Sequence, residues 1–281
     1  MTAASQAPTA VDDRPPGDPS GSRGGWRESR IYRIWVPRIL GYVLLLTAWT
    51  LASGRLVPAF SLPSPVTMVQ EMWEIIESGL FWTHFGATIR KIAIGYTISF
   101  IVGFSVGVAM RGRWADAFFR NWVVALLNTP GLVFALVAAM IFGFSPLGPI
   151  TAIVVTSFPF VTINIAEGVR ALPKDLIDMG RAFNVSDARR VRQIIIPFLA
   201  PYTFAALRYG FSIAWKIATL TEVFGSSSGI GFMIRREFQQ FSIPGMLAWI
   251  FFFFAFALLL EALLQRGMKR YFRWRPEAVP G

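Results

Sequence analysis

Residues Arg170–Pro201, RALPKDLIDMGRAFNVSDARRVRQIIIPFLAP, form a polar, basic island between two membrane-length apolar segments. Its spacing predicts two short helices. Leu172-Pro173 opens the first, and Leu176, Ile177, Gly180 and Phe183 recur near helical spacing, which gives it one apolar face. Asn184 stands where the chain needs a residue tolerant of positive φ, and Ser186 is a good N-cap for a second helix that Pro197 ends. A plain membrane anchor needs no such helix-turn-helix. The alternative is an ordinary loop held positive by its arginines.

The 281-residue chain as a whole is 54% hydrophobic and 15% charged, too apolar for a soluble domain. Apolar segments at Arg38–Val57, Ile92–Met110, Asn121–Phe142, Leu147–Ala166, Phe198–Val223 and Met246–Gln265 are each long enough to cross about 30 Å of hydrocarbon as a helix. The expected fold is all-α, a polytopic membrane protein of about six transmembrane helices with both ends on one face. The net charge of +11 forms no amphipathic or aromatic-interleaved patch, so nucleic acid is not an expected partner. With the N-terminus cytoplasmic, 20 of the 27 Lys and Arg residues fall on the inside, as the positive-inside rule requires. Arg90 and Lys91 run against the rule, and a short surface helix before the second span would let them reach water. Residues 1–35 read as a disordered cytoplasmic tail without a signal peptide, 36–275 as the membrane domain and 276–281 as a C-terminal tail.

Local patterns refine this reading. Leu62-Pro63-Ser64-Pro65 is a stiff breaker, followed by an amphipathic helix with Met68, Val69, Met72, Trp73 and Ile76 on one side, lying at the outer interface. Gly103-x-x-x-Gly107 is a close-approach face, or simply two glycines of a membrane helix. Asn128-Thr129-Pro130-Gly131 breaks a helix in mid-membrane, where irregular backbone survives only against protein or a wet cavity.

No enzymatic constellation is present. Without cysteine there is no disulfide, thiolate metal site or Cys nucleophile, and the single histidine, His84, reads as interfacial. No P-loop occurs, and Gly225–Gly231 reads as a flexible outer loop rather than a phosphate cradle. No metal or other cofactor is expected. A charged group at mid-bilayer costs roughly 2.5 to 3.5 kcal/mol, so polar residues in the spans point to a cavity or partner. Lys216 and Glu222 lie six apart on the fifth span, the wrong spacing for a mutual pair. Separate roles follow: Lys216 facing a cavity or a carboxylate on another helix, and Glu222 near the outer end, lining a path or bonding the glycine loop. Asn128, Thr129, Thr156, Asn164 and Trp215 are the other path candidates, and Glu261 reads as interfacial.

The island resembles the coupling loop of ATP-binding cassette (ABC) importer permeases, in which Glu-Ala-Ala, three residues, Gly and nine further residues lead to an aliphatic residue ahead of Pro. Here the pattern falls on Asp178-Met179-Gly180, Asn184 and Ile194 to Pro197. LPSP at Leu62–Pro65, Gly103 with Gly107, Asn164 with Gly168, and SSGIGF at Ser227–Phe232 after Glu222 resemble the nitrate, sulfonate and taurine branch. Asp178 keeps the acidic charge on a shorter arm, and Asn184 replaces Gly at the turn. The resemblance implies a type I ABC importer permease in a bacterial inner membrane, with both termini cytoplasmic. It implies two copies of the chain in membrane lipid, a separate cytoplasmic ABC ATPase contacting Asp178, Met179, Gly180, Ala182, Phe183 and Asn184 within a coupling loop at 170–197, and an extracytoplasmic solute-binding protein. A small anion is the solute the resemblance implies; a heterocyclic precursor or aromatic acid is the competitor. Two other classes stay open: a secondary transporter or channel using Lys216 and Glu222, and a membrane scaffold.

Overall fold

The computed structural model describes residues 25–56, 58 and 61–271, with side chains from Trp35 onward. The described residues are almost entirely helical: α1 Gly25–Ala52, α2 Pro65–Glu77, α3 Leu80–Ala109, α4 Arg113–Asn128, α5 Gly131–Phe142, α6 Leu147–Arg170, α7 Lys174–Ala182, α8 Asp187–Arg190, α9 Ile196–Gly225, α10 Ile230–Gln239 and α11 Ile243–Tyr271. Five of them are long and apolar enough to cross a membrane, and α4 with α5, bent by 91° at their junction, makes a sixth crossing if the pair is one span. The tail assigned to 1–35 lies outside the described residues up to 24; from Gly25 it is helical. The tail at 276–281 also lies outside them.

Lipid tails are as apolar as leucine, so helices in a bilayer associate through close packing rather than hydrophobic exclusion. Small residues supply that closeness here. A Cβ on Gly103 would lie 2.7 Å from the Phe158 carbonyl oxygen and from Val161 Cβ, and one on Gly107 2.8 Å from Ile165 Cβ. Gly95 meets Ile153 in the same way. Each glycine thus faces the residue 58 positions later, so α3 and α6 run parallel in one fixed register. Ser99 completes the four-residue stripe and is buried. Antiparallel α9 closes in beside α3 and α6, where Gly168 meets Tyr202 and Gly210 meets both Tyr96 of α3 and Val161 of α6. The Tyr96 hydroxyl donates to the carbonyls of Ala206 and Leu207, 3.1 and 2.9 Å away, tying α3 to α9.

Three expectations need correction. The second span begins at Leu80, not Ile92, so Arg90 and Lys91 lie within one continuous helix; Arg90 is exposed and Lys91 buried. On α2, capped by Ser64, Met68 and Ile75 turn inward, whereas Val69 and Trp73 are each 66% exposed and face away. Pro197 does not end the second island helix, because α8 widens into a π turn over Val191–Ile195 and runs on as α9. The wider turn gives room to a proline ring that would collide with the carbonyl four residues back and has no N–H to offer it.

Gly103→Val should lower stability by about 1–3 kcal/mol by forcing α3 from the α6 backbone, whereas Gly86→Ala, with nothing within 4 Å of the added Cβ, should stay within about 1 kcal/mol of the parent. Thermal unfolding of the detergent-purified variants checks this; equal midpoints for Gly103→Val and the parent would refute the packing account.

Candidate functional site

Three assemblies follow from this frame. The first is the break between α4 and α5. The residue before a proline is driven to extended backbone, and Thr129 sits at ψ 126° ahead of Pro130. At the end of α4 side chains fold back on the helix carbonyls: Thr129 Oγ1 donates to the stranded Ala125 oxygen at 2.9 Å, and Asn128 Nδ2 to that of Val124 at 2.8 Å. Gly131 admits Ile217 of α9, since any Cβ there would collide with it. A cavity of about 310 Å³ opens at this corner, lined by Asn128, Thr129, Pro130 and Gly131 with Thr156 and Phe160 of α6 and Ile213 and Ile217 of α9. Its lining carries no charged side chain. The N-terminus of α5, with no side-chain cap, opens into it and brings a partial positive charge.

The second assembly is the island. α7 ends in a left-handed residue, Asn184 at φ 53°. The Val185 N–H donates to the Gly180 carbonyl and the Asn184 N–H to that of Arg181, each at 2.9 Å. Ser186 is the N-cap residue of α8, although its side chain makes no capping bond. Gly180 is buried under the Arg190 stem, so it is an internal packing point of the island rather than part of its surface. Leu176, Met179 and Phe183, exposed by 43, 51 and 77%, form one bare apolar stripe. Asp178, exposed beside it, pairs with Arg181 at 3.1 Å, and Ala182 and Asn184 are also exposed. At the root of the island Arg170 pairs with Asp116 of α4.

The third assembly lies at the far end of α9. Glu222, expected in the path or near the outer end, is fully enclosed. Lys91 of α3 donates to its Oε1 at 2.9 Å, to Ser226 Oγ at 2.9 Å and to the Ser228 carbonyl. The first N–H groups of α10 find partners on neighbouring helices: Gly229 on His84 Nδ1 at 3.2 Å, Ile230 on Thr88 Oγ1 at 2.9 Å and Gly231 on Glu222 Oε2 at 3.1 Å. Arg235 donates back to the carbonyls of Val223 and Ser226, at the C-terminal end of α9. A Cβ on Gly229 or Gly231 would strike Glu222. The Gly225–Gly231 segment is therefore not a free loop but a buried junction, and His84 is one of its acceptors rather than a plain interfacial residue. Outside the spans, burial and the neighbouring Glu74 and Glu237 hold the Glu71 carboxyl of α2 above the usual carboxylate range.

The remaining candidates scatter. Asn128, Thr129 and Thr156 share the cavity, whereas Asn164 donates to the Phe160 carbonyl of its own helix at 2.8 Å. Trp215 and Lys216 line a different hollow of about 290 Å³ between α9 and α11, together with Arg208 and Glu261. The Glu261 carboxylate there accepts from Arg208. Sequence reasoning missed Thr88, Lys91 and Ser226. The available signal was one lysine and one glutamate, each set in an apolar run.

The family model described as "Binding-protein-dependent transport system inner membrane component" matches residues 95–273. A putative aliphatic sulfonates transport permease of Bacillus subtilis is 26% identical over 243 residues, covering 86% of this chain and 88% of that protein. A formylaminopyrimidine transport permease of Halalkalibacterium halodurans is 24% identical over 88% of this chain and 98% of its own length. A bicarbonate transport system permease of Synechococcus elongatus is 28% identical over 90% and 95%. Among solved structures, the crystal structure of an amino acid ABC transporter with histidines superposes with a TM-score of 0.59 over 70% of this chain and 96% of that one, at 18% identity, a likeness of fold.

Removing the carboxylate alone strands the buried Lys91 ammonium, so Glu222→Leu should cost about 3–5 kcal/mol, and Lys91→Met/Glu222→Leu should recover most of that loss. Unfolding midpoints of the single and double variants measure the coupling. A Glu222→Leu protein as stable as the parent would dispose of this account.

Proposed function

Since the chain belongs to the family of binding-protein-dependent transport system inner membrane components and is the permease subunit of an ABC importer, we propose that it carries a small anion through the cavity at the α4–α5 break. The observation that carries this reading is electrostatic. The cavity has no carboxylate in its lining, and a helix N-terminus opens into it. Relatives named for sulfonates and for bicarbonate support the same class. An uncharged heterocycle is the second reading, favoured by the uncharged lining and by the relative named for formylaminopyrimidine. The secondary-transporter reading loses its basis, because Glu222 is enclosed by Lys91 and Thr88 while Lys216 lies on a different face of α9.

The island is the proposed seat of a separate ATPase, which would hydrolyse the ATP. Leu176, Met179 and Phe183 offer it an apolar stripe, and Asp178 and Arg181 flank that stripe with charge. Two copies of this chain, a separate solute-binding protein at the opposite end and both termini on the ATPase side of a bacterial inner membrane complete the arrangement. The bias of Lys and Arg toward that side supports the orientation.

Met179→Asp/Phe183→Asp should leave the chain in the membrane but cut both copurifying ATPase and solute uptake at least tenfold, a loss of about 1.4 kcal/mol or more in each. Uptake of labelled ethanesulfonate, nitrate, bicarbonate and formylaminopyrimidine by vesicles of the complete complex tests the solute class. Import of the pyrimidine alone would establish the second reading in place of the first.

A further inference from the structure

We infer that Lys216 selects for negative charge at the transport path, an assignment that rests on the anion reading above and gives it a residue. Four basic side chains, Arg90, Lys91, Arg208 and Lys216, sit within the lengths of α3 and α9 away from their ends, and Arg90 and Lys216 are exposed. Two are engaged: Lys91 holds Glu222 and Arg208 holds Glu261. Lys216 makes no hydrogen bond or ion pair with any described residue, and it is exposed. It lies nine residues before Gly225, the end of α9, or about 13 Å along the axis. An unpaired ammonium at that depth cannot rest against hydrocarbon without heavy penalty, so its face of the helix meets water or another polar surface.

The position of that face gives the charge its use. At 100° per residue Lys216 lies about 60° round α9 from Ile213, which lines the uncharged cavity. On its other side it lines the hollow shared with Trp215, where Arg208 already neutralises the single carboxylate, Glu261. Lys216 is therefore the one unneutralised charge among the residues lining either hollow. The α5 N-terminus opens into the cavity and Lys216 stands on the adjoining face of α9, so two sources of positive potential bear on the cavity from different sides, and no free carboxylate lines either hollow. Rings of lysine or arginine act in this way in anion pores, and two copies of the chain would place two such lysines on one path.

The absence of cysteine from the chain makes the test clean. Ile213→Cys, in the full-length chain assembled in membrane vesicles, is treated with anionic sulfonatoethyl methanethiosulfonate and with cationic trimethylammonioethyl methanethiosulfonate. Modification is read from the mass of this chain. Adding Lys216→Gln should lower the anionic-to-cationic rate ratio about tenfold, and Lys216→Arg should preserve it, because a potential of one or two kT acts oppositely on the two reagents. Matching unfolding midpoints exclude misfolding as the cause. An unchanged ratio overturns the assignment. So does a Lys216→Cys chain that resists both water-soluble reagents yet reacts with a membrane-permeant maleimide, since that side chain then faces lipid. A tenfold shift upholds it even where vesicles import none of ethanesulfonate, nitrate and bicarbonate, in which case the solute reading is what fails.

Discussion

Everything in this molecule hangs on how closely α3 can lie against α6. In a bilayer no water is expelled when two apolar helices meet, so association depends on dispersion between well-fitted surfaces. Gly95, Ser99, Gly103 and Gly107 strip one face of α3 almost to backbone, and Ile153, Val161 and Ile165 fill the space. The contact fixes register as well as distance. Lys91 is the next residue in the same four-residue stripe, and there the small side chains give way to a long one. The helix that is flattest along its length therefore carries, at one end, an ammonium directed into the junction after α9.

That junction solves a backbone problem and a charge problem with the same atoms. A helix beginning inside a protein needs acceptors for its first N–H groups, and α10 takes them from His84, Thr88 and Glu222. The carboxylate is stabilised by that helix start and by Lys91 together. A buried ion pair alone seldom adds stability over an apolar pair. Here its worth is geometric: Lys91 also binds Ser226 and Ser228, so one side chain sets the path of the chain between α9 and α10.

What could be read from the sequence was what proline, glycine and asparagine impose locally. The break at Asn128–Gly131 was legible because a proline cannot continue the helix and biases the residue before it to extended backbone. The island turn was legible because Asn184 tolerates the left-handed region. The pairing of Lys91 with Glu222 was not, since the two are 131 residues apart and only the packing of α3 with α9 joins them. The same blindness turned Gly225–Gly231 into an apparent flexible loop. Its glycines are required by the carboxylate and backbone pressed against them, not by a need for freedom. Local rules also misjudged Pro197, where a π turn absorbed the ring that was expected to stop the helix.

The mechanical consequence follows from which contacts are close and which are not. α3, α6 and α9 meet through glycines along most of their length, and the Lys91 junction locks them at the end remote from the island. Packed interfaces of this kind move as units, because sliding by a fraction of a residue drives side chains into backbone. α5 is held to α9, where Gly131 admits Ile217 and Gly225 meets Ala139, whereas α4 has no such glycine contact among the described residues. α4 and α5 meet at 91° around two extended residues, and α4 is joined to the island root by the partly exposed Asp116–Arg170 pair. Under the proposed coupling, a displacement at the island would carry the three-helix unit as one body, and the change of angle would concentrate at Thr129 and Pro130. Those residues line the cavity, so the most deformable point of the span and the proposed solute path coincide, and a small rotation there changes the shape of the path without breaking a buried polar contact elsewhere.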